Sequence, residues 1–274
     1  MNIMETSHVK NKWYIRSENI KLSDRQLPSP LSDDRTAGNR IVLLLNQVEY
    51  AAFRWCPAGT FMMGSPEDEI GRNTNETQHQ VTFSRGFWML ETPVTQTMWE
   101  SVMGYNPSHN KGSILPVEQV SWYDCHNYIH KLNGIDDTIP GLKFSLPTEA
   151  QWEYACRAGT TTAYHFGTTL GHRHANIEGK QTINVGSYPA NVWGLRDMYG
   201  NVWEWCLNWY SDYPIGTVVD PTGSPTGTHR AARGGGWNCL ARDCRSAERF
   251  VINPSLSFSF LGSRLVIVFE ERLG

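Results

Sequence analysis

Apolar and polar positions alternate in short runs over the first third of the chain, and the period turns helical in three places. Ile41-Val42-Leu43-Leu44-Leu45 has the length of a strand, with Tyr50–Trp55 as its expected partner. Trp55–Ser65 reads as strand–turn–strand, with Pro57 and Gly59 at the turn. Pro66–Gln78 is polar and acidic and reads as a surface loop. Gln80–Phe83 and Gly86–Leu90 read as strands. Pro93-Val94-Thr95 opens the first helix, with Val94, Met98 and Val102 at helical spacing and Trp99 beside them. The second helix covers Val120–Leu132. Ser121 and Asp124 form a capping-box start, Trp122, Cys125, Ile129 and Leu132 make one face, and Gly134 is the stop. The third covers Leu146–Ala155, with Thr148 as N-cap and Gln151 at the box position. Residues 160–230 read as structured coil. Residues 1–40 are polar, with a Pro/Ser cluster at Leu27–Ser32, and read as an N-terminal arm ahead of one domain over 41–274.

Composition adds two constraints. The 11 Trp and 24 Gly, with few long periodic segments, point to a loop-rich fold pinned by large aromatics. The net charge of −3 and a pI near 6.3 argue against a nucleic-acid partner, which needs a basic patch. No apolar run approaches the roughly 20 residues that span a bilayer. The N-terminal stretch has no secretory apolar core. The chain as given is therefore expected to be cytoplasmic, and display on a cell or phage surface would need a leader.

Three places carry candidate chemistry. His126 and His130 sit four apart on the second helix without a third ligand nearby, which suits packing or surface roles better than a metal. In Gly194–Trp205, Asp197 and Glu204 bracket a Gly200-Asn201 turn. A tight loop can aim two carboxylates and its own carbonyls at a hard cation, or the carboxylates can simply hold backbone donors in the coil. The third place is Arg233–Val266. It begins Arg233-Gly234-Gly235-Gly236-Trp237 and ends Leu261-Gly262-Ser263-Arg264-Leu265. Between them lie Cys239 and Cys244, five apart, and Phe250, Val251, Ile252, Leu256, Phe258 and Phe260 scattered among small polar residues. Those apolar residues are either core strand or a recognition patch.

Six stretches, in order, resemble the formylglycine-generating-enzyme/sulfatase-modifying-factor family: Pro57–Ser65, Pro93–Thr95, Pro116–Trp122, Leu146–Ala155, Gly200–Trp205 and the final Arg-Gly-Gly block. They cover roughly residues 50–268. The resemblance implies an α+β fold of the C-type-lectin-like, formylglycine-generating-enzyme type, with low regular secondary structure, short helices and small antiparallel sheets. It implies structural calcium held by Asp197 and Glu204 and by the carbonyls of Gly200 and Val202. A second calcium site of the family begins at an Asn-Ile pair matching Asn176-Ile177, but Glu178–Ser187 lacks its downstream aspartate. The enzymes of the family bind copper(I) with two cysteines five apart, which Cys239 and Cys244 match. Soft thiolates suit that ion. Gly236 stands where those enzymes carry serine, and Arg245-Ser246-Ala247 replaces their aromatic and basic run.

The segment resembles most closely the variable proteins of diversity-generating retroelements, whose C-terminal residues are rewritten by adenine-directed mutagenesis between fixed posts. The posts would be Arg233-Gly234-Gly235, Trp237, Ala241, Cys244–Ala247, Arg249, Pro254, Leu261-Gly262 and Arg264-Leu265. The displayed, ligand-binding positions would be Asn238, Cys239, Leu240, Arg242, Asp243, Phe250, Val251, Ile252, Asn253, Ser255, Leu256, Ser257, Phe258, Ser259 and Phe260. Asparagine-type codons mutated at adenine cannot yield Lys, Glu, Gln, Met or Trp, and none of these positions carries one. The resemblance thus implies a monomeric binding protein for a macromolecular ligand. A copper-dependent oxidase using Cys239 and Cys244 is the alternative, and a non-catalytic sensor domain the third reading.

Overall fold

The computed structural model describes residues 12–18, 36–135 and 141–269. In chain order the elements are β1 (Trp13–Glu18), β2 (Arg40–Leu45), β3 (Val48–Cys56), β4 (Gly59–Met63), β5 (His79–Phe83), β6 (Phe87–Leu90), α1 (Gln96–Met103), α2 (Trp122–Asn133), β7 (Leu142–Ser145), α3 (Glu149–Arg157), β8 (Trp203–Trp209), β9 (Val218–Val219), β10 (Arg230–Arg233), β11 (Phe250–Ile252), β12 (Leu261–Ser263) and β13 (Val266–Phe269). A 3₁₀ turn, Ala241–Cys244, precedes β11. The strands make three sheets: six strands in the order β1-β2-β3-β6-β13-β7, four in the order β11-β10-β8-β12, and three in the order β4-β5-β9. Pairing is antiparallel except for β12 on β8 and β9 on β5.

All three helices begin on capping side chains. Thr95, Ser121 and Thr148 each accept from the backbone N–H three residues on, and Ser121/Asp124 and Thr148/Gln151 close full capping boxes. The first helix thus begins after Thr95, and Val94 lies before it, in the core.

Three expectations are corrected. The arm of residues 1–40 is not wholly peripheral: Trp13–Glu18 is an edge strand paired along β2. Trp13 is buried against Tyr50 and Phe144, because its large ring supplies core area that β2 alone lacks. The Leu27–Ser32 cluster lies outside the described residues. The acidic loop 66–78 is not merely a surface feature, since Glu76 is fully buried. The coil 160–230 contains β8, an inner strand of the four-stranded sheet. Trp203–Cys206 are all buried, and a strand covered on both faces shows no alternation to read.

The C-terminal segment lies on that same sheet. β10 and β11 form one edge, β12 the other, and the loops between them cover the end of β8. No helix among the described residues is long and apolar enough to cross a membrane.

Candidate ligand-binding surface

Four arginines fix the segment to the rest of the chain, and each is at least 96% buried, from Arg249 at 4% exposure to Arg233 and Arg264 at 0%. Arg233 donates to Glu149 at 2.9 Å, to Glu153 at 2.6 Å and to the Ser246 carbonyl at 2.5 Å. Arg245 reaches back to the acidic loop, to Glu69 at 2.8 Å and Glu76 at 2.7 Å, and to Glu248 at 2.6 Å. Arg249 holds Glu149 through two parallel hydrogen bonds of 2.7 and 2.9 Å and lies over the ring of Tyr213. Arg264 grips Glu204 in the same side-on manner at 2.9 and 2.8 Å. Paired guanidinium forks suit buried carboxylates, since two parallel bonds fix both direction and charge. Burial alone would raise the Glu149 carboxyl, but Arg249 and Arg233 overcome it and hold the group down at about 2.

Between these arginines the backbone is cramped and leaves room for little beyond the residues present. Gly235 has φ +82°, and a Cβ there would collide with Cys244 Sγ. The Trp237 indole donates to the Ser259 carbonyl at 2.9 Å, which ties the first loop to the last. Gln119 N donates to the Phe258 carbonyl at 3.0 Å, and Trp122 N to the Pro254 carbonyl at 3.1 Å.

Eight of the displayed positions face the other way, while Cys239, Phe250, Phe258 and Phe260 pack against the core. Asn238, Leu240, Arg242, Val251, Asn253, Ser255, Leu256 and Ser257 are exposed. Cys239, Asp243, Phe250, Phe258, Ser259 and Phe260 are half-buried. Phe258 and Phe260 stack at 5.0 Å with ring planes 5° apart, and Phe250 leans on Trp203 at 4.9 Å. Side-chain bonds stay within the segment: Asp243 accepts from Leu240 N at 3.2 Å and Asn253 from Ser255 N at 3.0 Å. Ile252 is the correction here. It is 4% exposed and belongs to the core, because alternation along the three-residue β11 sends Val251 out and Ile252 in.

The fold brings Cys239 and Cys244 together. The neighbouring Cys244 thiol is the first reason the Cys239 thiol falls to about 7, helped by the Gly236 N–H at 3.3 Å. The same contact, with burial, pushes Cys244 well up. All six cysteines are free thiols. Two sulfurs in contact fit a soft two-coordinate ion. A Cβ at Gly236 would stand 2.9 Å from Phe260 Cβ, so a serine there requires Phe260 to move.

At the Gly200 turn, Glu204 accepts from Trp152 Nε1 at 2.7 Å as well as from Arg264. Asp197 accepts from Gly186 N at 2.5 Å. Burial pushes its carboxyl up to about 6, with the charge of Glu204 adding to the effect. Arg264 pairs with Glu204, and Arg264 and Arg196 both lower the Asp197 carboxyl without overcoming its burial. That donor set, with the carbonyls of Gly200 and Val202 in the same turn, fits a hard cation. At the Asn176 turn the Asn176 carbonyl accepts from Asn201 N, and its amide donates to Gln181 and Asn201, so its polar groups are engaged with neighbours. His126 leans on Trp122, ring centres 4.3 Å apart and planes 34° from parallel.

The buried arginine–glutamate pairs were not found from sequence. Their partners stand up to 176 residues apart, and nothing local marks them. The signal available was an Arg at several of the posts, which composition alone does not separate from surface charge.

Comparison with known proteins agrees with this geometry. The model of the sulfatase-modifying factor enzyme 1-like domain matches residues 45–268. Among solved structures, Treponema denticola variable protein 1 superposes with a TM-score of 0.71 at 29% identity, covering 85% of this chain and 97% of that one. The formylglycine-generating enzyme of Mus musculus is 32% identical over 207 residues, 68% of this chain and 52% of its own. Serine/threonine-protein kinase Pkn1 of Chlamydia trachomatis is 36% identical over 154 residues, 54% of this chain and 24% of that protein. The chain thus spans less than two thirds of the length of these curated relatives.

Proposed function

The chain belongs to the sulfatase-modifying factor enzyme 1-like family, and from that membership we propose that it is a ligand-binding protein whose residues 238–260 form a diversified recognition surface. Its fold is C-type-lectin-like, of the formylglycine-generating-enzyme type, and it resembles that of a variable protein. One observation carries the reading. Within a single segment the posts point inward onto buried carboxylates, while the displayed positions other than Ile252 point outward or lie half-buried. Such a division lets the exposed display residues change without touching the core, while Cys239, Phe250, Phe258 and Phe260 also pack against it. The ligand is a protein or another macromolecule, met by the Phe258–Phe260 stack, Phe250, Val251 and Leu256, with Arg242 and Asp243 adding polar selectivity. The chain acts as a monomer.

The test is direct. DNA beside the gene should hold a near-copy of codons 233–266 that differs at adenines, next to a reverse transcriptase. A chain with Asn238, Leu240, Arg242, Val251 and Leu256 redrawn together should melt within a few degrees of the parent and bind different peptides from a display library. Absence of the near-copy, or collapse of the redrawn chain, would overturn the reading.

We also propose structural calcium at Asp197, Glu204 and the carbonyls of Gly200 and Val202. The support is two buried carboxylates, Asp197 and Glu204, close enough to repel, on either side of the Gly200 turn. A bound cation would hold the Gly200 turn, which seats the Gly234 carbonyl through Gly200 N.

The Cys239–Cys244 contact favours a second reading, a copper(I) site of the formylglycine-generating kind. Copper(I) titration of the reduced chain and an assay for aldehyde in a cysteine-containing peptide decide it. Tight binding with aldehyde would establish the enzyme, and neither would end the claim.

A further inference from the structure

Six arginines among the described residues are buried, and five of them pair with glutamates. The sixth, Arg230, does not. It opens β10, directly opposite Ile252 of β11 and Trp209 of β8. Its guanidinium lies between two indole rings, 3.8 Å from the centre of Trp122 and 3.4 Å from that of Trp209. Nη1 donates to the Leu207 carbonyl at 2.5 Å. Nε is buried and has no hydrogen-bond partner. Nη2 makes no hydrogen bond among the described residues and is not enclosed. The residue as a whole is 8% exposed.

The unpaired edge, open only at Nη2, is informative. Nε and Nη2 form the side of the guanidinium that Arg249 uses on Glu149 and Arg264 uses on Glu204. In Arg230 that edge has no carboxylate. The surrounding groups do not supply one: His126 leans on Trp122, Tyr123 meets the same ring edge-on, and His130 lies beyond. A buried cation without a counter-ion costs stability, and folding alone gives no reason to keep it. Two aromatic faces hold the cation in place while leaving Nη2 open.

Position supplies the rest. Arg230 lies outside the segment 233–266 and therefore belongs to the constant scaffold. Yet its ladder partner is Ile252, whose neighbour Val251 is exposed, and Trp122 N holds the Pro254 carbonyl between Asn253 and Ser255. We propose that the Arg230–Trp122–Trp209 sandwich is a fixed carboxylate-binding subsite at the border of the displayed surface, taking an aspartate or glutamate side chain of a protein partner. The chain's net charge of −3 disfavours a polyanion, and one unpaired guanidinium suits a single carboxylate. The inference rests on the 238–260 face being a recognition surface. The displayed residues would then select among partners, while Arg230 gives every partner the same anchor.

The test uses peptides selected against the whole chain from a random display library. Selected binders should carry Asp or Glu. Arg230→Gln should weaken them by roughly tenfold, and changing the peptide's acidic residue to its amide should remove the same factor with no further loss in combination. The variant gives up two ring contacts and the Leu207 bond but also an unpaired buried charge, so it should melt within a few degrees of the parent; Arg230→Lys, which keeps the charge but loses the planar guanidinium, should bind in between. Unchanged binding by Arg230→Gln, alongside loss in Val251→Asp, would overturn the subsite and leave the display face standing. Indifference of binding to both variants would overturn both. A lower melting temperature with equal loss for acidic and neutral peptides would assign Arg230 a structural role and overturn the subsite.

Discussion

Between Arg233 and Arg264 one stretch of chain does two opposite things. Arg233, Arg245, Arg249 and Arg264 run inward to Glu149, Glu153, Glu69, Glu76 and Glu204, on elements distant in sequence. Asn238, Leu240, Arg242, Val251, Asn253 and Ser255–Ser257 run outward and bond, where they bond at all, to their own neighbours. Hydrophobic packing alone would not separate the roles so cleanly, because a displayed phenylalanine and a core phenylalanine compete for the same space. Ion pairs with fixed geometry do not compete with apolar display residues. A segment held by buried arginines can therefore carry many apolar surfaces while keeping one backbone path.

The division breaks most severely at an inward residue. Arg233→Ala leaves Glu153, which is 0% exposed, with Arg157 and the Gly64 N–H alone and strips Glu149 of one of its two guanidinium partners. Removing one member of a buried pair costs about 3–5 kcal/mol. Urea denaturation should show that loss or no folded protein at all; a loss under about 1 kcal/mol would mean that packing, not pairing, holds the segment.

Ile252 and Val251 put the same contrast on adjacent residues. Ile252→Ala empties a core position and should cost about 2–4 kcal/mol by denaturant titration. Equal costs at the two positions would mean that β11 is not held in the register Arg230–Ile252, Ala231–Val251.

The pairing also fixes a pH dependence. Glu149 sits at about 2 when folded and near 4.5 as an ordinary glutamate, so its contribution is complete above pH 5 and disappears as pH falls through 2. The difference is about 3 kcal/mol. Stability measured from pH 5 to pH 2 should fall accordingly, and a flat profile would remove the ion pairs from the account.

Much of this contrast was legible in sequence, and the reasons for the misses are physical. The posts and the display positions came from the resemblance to variable proteins and not from residue type, since arginine stands in both sets. Capping boxes at Ser121 and Thr148 are local and read directly. Ile252 failed because a three-residue strand is too short for alternation to register. The buried state of Glu76 failed because its partner is 169 residues away. Trp13 failed because one apolar residue in a polar stretch carries no period.

Asp197 has the opposite sign from Glu149. Its folded value, about 6, lies above the ordinary 3.8, so the charged form is disfavoured and stability drops as pH rises from 4 to 6. A cation at the Gly200 turn would recover that loss. Calcium should therefore raise the melting temperature more at pH 7.5 than at pH 5, by about 2.7 kcal/mol equivalent at a hundredfold excess over Kd. Asp197→Asn should abolish the effect. This variant is cleaner than one at Glu204, whose loss would also release Arg264 and Trp152. A melt indifferent to calcium and chelator would refute the site.

The smallest stability effect is the one with the largest consequence for binding. Val251 and Leu256 are 39% and 47% exposed and hold no post. Aspartate at either should change stability by less than about 0.5 kcal/mol, as exposed substitutions do. On a recognition face, a charge in the middle of an apolar contact should abolish capture of the peptides selected against the parent chain, because a partner packed there cannot solvate it. If Val251→Asp and Leu256→Asp fold as the parent and bind as the parent, the outward residues carry no ligand, and the inward arginines merely hold a loop in place.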